Sequence, residues 1–170
     1  MQFFSDESDD DMVATLRNPN TAMTFSDSGA HVGQIIDSSL QSYLLAYWVR
    51  ERAAITLEEA VRMITSRPAA VWGLHDRGVL REGLPADITV FDPATVGPSL
   101  PEVAFDLPGG ARRLVQRAVG FHSVVVNGEV HMHDGQPTGT RAGRLLRADH
   151  QRVRRDRPIN AIKEESEVNG

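Results

Sequence analysis

The sequence has 170 residues, of which 41% are hydrophobic and 24% are charged, as in an ordinary folded domain. No apolar run approaches the roughly 20 residues needed to cross a bilayer, and the net charge is −5, so we expect neither a membrane nor a nucleic-acid partner. The absence of cysteine excludes disulfides and thiolate metal ligands from this chain.

The first 17 residues predict a helix and no export signal. The start of the chain has neither a basic segment nor a long apolar core, so we expect a cytoplasmic location. Ser8 is a candidate helix cap, and the three aspartates after it favour a helix amino terminus. Met12, Val13 and Leu16 then recur at helical spacing, which predicts a short helix up to Arg17.

Residues 22–31 carry the most informative pattern. The mostly apolar segment 22–26 predicts a short strand buried on both faces, and Asp27 and His31 follow on a turn of small residues. Barrel enzymes place their chemistry at the carboxyl ends of such strands, so Asp27 is the leading catalytic candidate. Taken alone, an aspartate in this position is more often a turn former or a helix cap.

Three helices are predicted after this segment. From Ser39 onward, apolar residues at intervals of three and four form one broad face, which indicates a covering helix rather than a binding surface. Thr56 and Glu59 predict a capping box at the start of the second helix. Ser66 is the expected cap of the third, with Pro68 in its first turn.

The pattern changes from helical to strand spacing after residue 83. Residues 88–91 are β-branched and aromatic and predict a strand, and Asn127-Gly128 between two apolar runs predicts a hairpin with a tight turn. Residues 93–110 are rich in proline and glycine and predict a long surface loop. The segment 115–119 is compatible with a short strand or a short helix.

This order of parts resembles the carboxyl-terminal portion of the metal-dependent amidohydrolase superfamily. Its branch of D-aminoacylases and N-acyl-D-amino-acid deacylases is the most similar, and the resemblance covers roughly residues 3–147. The motifs that carry it are Ser-Asp-Ser-Gly-Ala-His at 26–31, His-Asp-Arg-Gly-Val-Leu at 75–80, Asp-Leu-Pro at 106–108 and Arg-Arg-Leu-Val-Gln-Arg-Ala at 112–118. The ordered set is more specific than any one motif.

The resemblance implies an incomplete α/β fold. The family has a (β/α)8 (TIM-like) barrel beside a small β-sandwich, and a barrel alone takes about 250 residues. We therefore expect a carboxyl-terminal fragment, with the last barrel strand and its helices in residues 1–75 and part of the sandwich, with a loop at the barrel mouth, in 76–147. The polar, charge-rich residues 148–170 predict a disordered tail.

The chemistry implied by the resemblance is hydrolysis of the amide bond of small N-acyl-D-amino acids with a divalent metal, expected to be zinc. Asp27 is implied both as a metal ligand and as the general base that takes a proton from water and passes it to the leaving nitrogen. His31 is a candidate to orient Asp27, to touch substrate, or only to cap the next helix. Ser26 and Ser28 are candidates to hold the Asp27 carboxylate.

Most metal ligands of the family, including a cysteine of an earlier barrel strand, are expected to lie outside this chain. A carboxylate without its metal cage and the other strands lacks an activated water, so the fragment alone is expected to be inactive. A second hypothesis is therefore a non-catalytic or split chain that completes a barrel made by another polypeptide. A third keeps the superfamily but makes cyclic amides the substrate.

His131 and His133 have the spacing of the histidine pair that binds metal on the first barrel strand of this superfamily. Alternation along a strand would place both imidazoles on one face. They lie, however, on the predicted late hairpin, far along the chain from the family's metal pair, so an exposed strand face is the favoured interpretation.

Overall fold

The computed structural model describes residues 8–24, 26–29, 33 and 35–147. The predicted tail at 148–170 lies outside these residues, and so does His31. No helix within the described ranges is long and apolar enough to cross a membrane.

Helices occupy the first half of the described chain and strands the second. The helices are α1 (Asp9–Arg17), α2 (Leu40–Tyr43), a π-helix (Leu44–Glu51) that continues α2, α3 (Leu57–Ile64) and α4 (Ser66–Val71), with a 3-10 turn at Pro108–Gly110. The strands are β1 (Ile88–Phe91), β2 (Gly97–Pro98), β3 (Glu102–Ala104), β4 (Arg113–Val115), β5 (Ala118–Val119), β6 (Phe121–Val126), β7 (Glu129–His133) and β8 (Gln136–Pro137).

Helix α1 confirms the helix predicted at the amino terminus, and it carries a complete capping box. The Ser8 hydroxyl accepts a hydrogen bond from the Asp11 amide at 3.2 Å, and the Asp11 carboxylate accepts from the Ser8 amide at 3.2 Å. The Ser8 hydroxyl also donates to the Asp11 carboxylate at 2.7 Å, and this bond, together with the one from the Ser8 amide, lowers the pKa of Asp11.

The predicted capping box of α3 forms only in part. The Thr56 hydroxyl accepts from the Glu59 amide at 3.2 Å, as expected. The Glu59 carboxylate instead pairs with Arg17 of α1 through two bonds of 2.8 and 3.0 Å. A guanidinium presents two parallel donors to a carboxylate and therefore outcompetes the single cap amide. The pair ties α1 to α3 and lowers the pKa of Glu59.

Helix α4 begins one residue earlier than predicted. Ser66 is its first residue, and Thr65 holds the cap position. The Thr65 hydroxyl donates to the Val61 carbonyl of α3 at 2.6 Å, so this side chain links the two helices instead of capping. Pro68 lies in the first turn, as predicted.

The predicted apolar helix from Ser39 provides the largest share of the core. Its buried side chains meet residues of the following loop, of α3 and of the strand half. The core cluster consists of Leu44, Leu45, Trp48, Ile55, Ala60, Met63 and Val96. Tyr43 and Tyr47 stack at the rim with ring centroids 5.1 Å apart. The interpretation of this helix as a packing element is confirmed.

The strand predicted at 22–26 is not formed in the residues that the structure describes there, 22–24 and 26. Met23 instead packs against the helical core. A strand exists only when its backbone groups pair with a neighbouring strand, and an inner barrel strand needs one on each side. Residues 22–24 and 26 are half-buried, so the expected burial on both faces is also not observed there.

The predicted strand at Ile88–Phe91 and the predicted hairpin are confirmed. They belong to an antiparallel sheet of order β1-β6-β7-β8, in which Ile88 faces Val125 and Val124 faces Met132. Asn127 and Gly128 have φ angles of 49° and 86°, as a tight primed turn requires.

The long loop predicted at 93–110 is wrong, because it contains β2, β3 and the 3-10 turn. β2 pairs with β5 and β3 pairs with β4, each in a small antiparallel sheet. These strands have two or three residues, which is too short for an alternating pattern to be recognised. The segment 115–119 contains the end of β4 and all of β5, so its strand interpretation is the correct one.

The turn after β1 joins the sheets to the helices. Val96 is fully buried in the helical core, and the Arg50 guanidinium donates to its carbonyl at 2.5 Å. Gly120, with a φ of +78°, lies against this turn, and a Cβ there would stand 2.5 Å from the Val96 backbone. The turn is thus enclosed from both sides.

A second connection runs through Asp87. Its carboxylate pairs with Arg77, whose side chain is only 10% exposed, and also accepts from the Asn127 amide at 2.7 Å. The Asn127 side chain continues the chain of contacts by donating to the Ala142 carbonyl at 2.6 Å. Asp87 therefore holds the hairpin turn against the segment that follows α4.

Asp87→Ala should lower the free energy of unfolding by about 1–3 kcal/mol, because it removes the close partner of the mostly buried Arg77 guanidinium and the acceptor of the Asn127 amide. Urea denaturation measures this change. Asp76 is also near Arg77, at 3.6 Å, but its side chain is 55% exposed, so Asp76→Ala is the matched control and should cost less than about 1 kcal/mol. Equal losses of stability in the two variants would contradict the assignment of Asp87 as the main partner of Arg77.

Gly120→Ala should destabilise the fold more than Gly128→Ala. Both glycines have positive φ angles, so each alanine bears a conformational cost of about 1–2 kcal/mol. Only the Cβ at position 120 meets backbone, which adds about 1–3 kcal/mol of overpacking, whereas nothing lies within 4 Å of the one at 128. Urea denaturation of both variants gives the comparison, and identical midpoints would rule out the close contact.

Candidate functional site

Asp27 lies near a backbone bond that joins two described parts of the segment 26–37, namely 26–29 and 35–37. The Gly29 amide donates to the Ile35 carbonyl at 3.1 Å, and Gly29 has a φ of +91°, which favours glycine there. We call residues 26–37 the Asp27 loop. Asp27 is exposed, and it has no hydrogen-bond or ion-pair partner among the residues that the structure describes. The described residues therefore leave both carboxylate oxygens of Asp27 without a hydrogen bond.

The two serines beside Asp27 do not hold its carboxylate in the described part of the loop. The Ser28 amide donates to the Ser26 hydroxyl at 3.3 Å, so Ser26 stabilises the turn itself. His31, the second predicted catalytic residue, lies outside the described residues.

Asp37 belongs to the same loop and was missed by sequence reasoning. Its residue is half-buried, and its Oδ1 atom is buried without a hydrogen-bond partner. No motif marks this aspartate, because an acidic residue just before a helix looks like an ordinary loop residue. The unpaired oxygen becomes visible only in three dimensions.

His131 and His133 lie on β7 and are both exposed, which confirms the favoured interpretation of an exposed strand face. Their ring nitrogens have different partners. His131 Nδ1 is 3.0 Å from the Thr140 carbonyl, whereas His133 Nδ1 is 3.3 Å from the Ser123 hydroxyl and its Nε2 is 3.4 Å from Asp134. The two imidazoles do not converge on one point.

Across residues 8–24, 26–29, 33 and 35–147, no three His, Asp or Glu side chains come together as a metal site requires. The free carboxylate of Asp27 fits the requirement for one oxygen ligand. The remaining ligands of any metal bound here would have to come from other residues.

The other motifs singled out in the sequence have structural roles. Arg77, whose side chain is mostly buried, pairs with Asp87, and Gly78 packs so closely that a Cβ would stand 2.8 Å from that of Ala69. Asp106 and Arg113 form two bonds of 2.7 and 2.6 Å that close the β3–β4 hairpin. The contacts of these four motif residues are therefore structural.

Comparison with known proteins identifies the family of this chain. The model of the Amidohydrolase family matches residues 13–132, a range that begins in α1, contains the whole Asp27 loop and ends in β7. A match over this much of the chain shows the family. The chain belongs to the Amidohydrolase family.

Within that family, its relatives include two enzymes of Alcaligenes xylosoxydans xylosoxydans. The chain is 40% identical to a D-aminoacylase over 103 residues and 38% identical to an N-acyl-D-aspartate deacylase over 104, in each case 61% of this chain. It is also similar to a solved D-aminoacylase with a binuclear metal centre, activated by one metal and attenuated by the second; the TM-score is 0.52 and the identity 36%, over 65% of this chain.

The chain spans about a fifth of the length of these relatives: 19% of each of the two enzymes and 21% of the solved structure. Its fold is accordingly part of the D-aminoacylase fold, with mixed helices and strands.

Asp27→Asn should change the free energy of unfolding by less than about 0.5 kcal/mol, since an exposed side chain without partners contributes little to stability. Thermal or urea unfolding measures this. Asp92→Asn is the matched control, because the Asp92 carboxylate accepts from the Ala94 amide and the Thr95 hydroxyl, both at 2.9 Å, and these bonds lower its pKa. The control should lose stability, and a comparable loss at Asp27 would mean that its carboxylate is structural.

Proposed function

We propose that this chain is part of a metal-dependent amidohydrolase that converts N-acyl-D-amino acids to a D-amino acid and a carboxylate. The proposal rests on the carboxylate of Asp27, which is exposed and makes no hydrogen bond with the described residues. Asp27 lies within residues 13–132, the range that the family model matches. Two relatives named as a D-aminoacylase and an N-acyl-D-aspartate deacylase support this substrate class.

Asp27 acts as the general base in this proposal. Its carboxylate takes a proton from the water that attacks the amide carbonyl and returns the proton to the nitrogen as the C–N bond breaks. His31, four residues further on, orients Asp27 or contacts the substrate. The exposed position of Asp27 suits this role, because the base must reach a water and a substrate rather than a neighbouring side chain.

A divalent metal, which we expect to be zinc, supplies polarisation of the carbonyl and a more acidic water when it is bound. Among the described residues, Asp27 would serve as a ligand of this metal. One of its carboxylate oxygens would bind the metal, and the other would take the proton. The solved D-aminoacylase with its binuclear metal centre supports a metal requirement.

In the division that we propose, residues 1–75 complete a barrel and 76–147 contribute to a small β-sandwich. The isolated chain is then inactive, because the ligands and strands that surround Asp27 in a complete barrel are absent from the described residues.

Exposed apolar side chains favour a second candidate function. In it, the chain is non-catalytic, or one part of a split protein, and completes a barrel made by another polypeptide. The apolar helix residues Tyr43–Trp48 do not provide this surface, because they belong largely to the core. Other large apolar residues are exposed instead: Trp72 to 58%, Leu80 to 79%, Leu100 to 85% and Phe105 to 70%. Surface of this kind is buried when further chain packs on it.

The test is Asp27→Asn in the longest polypeptide that carries this chain, assayed with zinc on N-acetyl-D-amino acids. Turnover should fall by about 10²–10⁴-fold with stability and metal content unchanged, because proton transfer is lost while an oxygen ligand remains. Asp10→Asn, an exposed aspartate on α1, is the control and should leave turnover intact. His31→Ala tests the second residue in the same assay.

Three results would speak against the proposal. Unchanged turnover in Asp27→Asn removes Asp27 as the base. Hydrolysis of dihydropyrimidines or hydantoins in preference to N-acetyl-D-amino acids replaces the substrate class with cyclic amides. Activity of the 170-residue chain alone would show that the missing surroundings are not needed.

A further inference from the structure

The turn between β6 and β7 places an asparagine directly before a glycine, and this pair has a reactivity of its own. The backbone nitrogen of the following residue can attack the side-chain carbonyl of an asparagine, and a glycine there has no side chain to obstruct the attack. Asn127 is half-buried and Gly128 is exposed, so water and hydroxide reach the turn.

The fold engages both of the groups that would have to react. The Gly128 amide donates to the Ala86 carbonyl at 2.9 Å, and the Asn127 side-chain amide donates to the Ala142 carbonyl at 2.6 Å. The backbone amide of Asn127 also donates to the Asp87 carboxylate at 2.7 Å. The turn is therefore anchored to two segments outside the hairpin, one before β1 and one after β8.

The backbone conformation opposes the reaction as well. Both turn residues have positive φ angles, 49° at Asn127 and 86° at Gly128, as a tight primed turn requires. Joining the asparagine side chain to the next nitrogen in a five-membered ring requires the peptide between them to rotate. The turn geometry and its anchoring bonds resist this rotation.

We propose that Asn127 is a deamidation site that the folded hairpin protects, so that the reaction proceeds when the turn opens from its two anchoring segments. In the open turn, hydroxide takes the proton of the Gly128 nitrogen, which bonds to Cγ of Asn127. The bond from Cγ to Nδ2 breaks, and the leaving nitrogen takes a proton from water and departs as ammonia. Water then opens the cyclic imide to an aspartate or an isoaspartate.

The product cannot restore the contacts that the turn has lost. A carboxylate has no N–H to donate, so two oxygen acceptors would face each other at the Ala142 carbonyl. The product also adds a negative charge beside the Asp87 carboxylate, which bonds to the amide of the same residue. Deamidation therefore converts a transient opening of the turn into a lasting one.

The first experiment compares the rate of deamidation in the folded chain and in a synthetic peptide of residues 124–130, in the same mildly alkaline buffer. Peptide mapping by mass spectrometry separates this site from the second Asn-Gly pair, at 169–170. The folded chain should react about 5- to 150-fold more slowly, because the bonds to the Ala86 and Ala142 carbonyls must open first.

Variants test whether local opening of the turn controls this rate. Asp87→Ala should accelerate deamidation about tenfold, because the Asn127 amide loses its charged acceptor. Asp87→Asn weakens the same bond and serves where the alanine variant does not fold. Asp106→Ala is the matched control: it removes the pair with Arg113 from a different hairpin and should leave the rate within about twofold.

Asn127→Asp reproduces the aspartate product and tests its effect on the segment after β8. Trypsin should cleave after Arg141 about 2- to 13-fold faster in this variant, because the bond to the Ala142 carbonyl is gone. Gln136→Glu makes the same change from amide to acid on β8, where the side chain has no hydrogen-bond partner among the described residues, and should leave cleavage unchanged.

Four results would overturn the proposal. A peptide that does not deamidate removes the site, and equal rates in the peptide and the folded chain remove the protection. Equal rates in Asp87→Ala, Asp106→Ala and the unmodified chain, or equal acceleration in both variants, would show that opening of this turn does not control the reaction. Unchanged cleavage in Asn127→Asp would show that the product keeps the segment in place.

Discussion

The burial of Val96 is the constraint on which the rest of the structure depends. It is the one member of the main core cluster, within the described residues, that comes from the strand half of the chain, and it is fully enclosed by the helical layer. Arg50 bonds to its carbonyl, and Gly120 permits the next strand to pass directly behind it. Phe91 and Phe121 are partly buried against the same core, so the strand half meets the helices around this turn.

The candidate site has the opposite character in the part of it that the structure describes. The Gly29 amide bonds to the Ile35 carbonyl, and the carboxylate that we assign to catalysis makes no bond with the described residues. An exposed position of this kind is expected of a group that must meet water and substrate. The stability of this chain and the chemistry proposed for it thus belong to different sets of residues.

Turns and buried helix faces were predictable from the sequence, whereas the pairing of one strand with another was not. Asn127-Gly128 specifies its turn because those two residues accept positive φ, and the apolar face of the helix from Ser39 specifies its burial. The strand expected at 22–26 depends on neighbours that a sequence pattern does not reveal. In the site, Asp27 could be found from a motif, whereas Asp37 became visible only through the unpaired oxygen, which is a property of packing.

The shallow burial of the four-stranded sheet affects the dynamics of the chain. None of its strand residues, all of which fall in the described part, is fully buried, and its ladder is interrupted by register shifts at Val90/Phe91 and Val124/Val125. Protection of amides from exchange with solvent requires that opening be costly, and opening is cheap where little apolar surface is released. Amide protons of β7 and β8 should therefore exchange with deuterium well before those of the π-helix and α3, and the heat capacity of unfolding should come mainly from the helices.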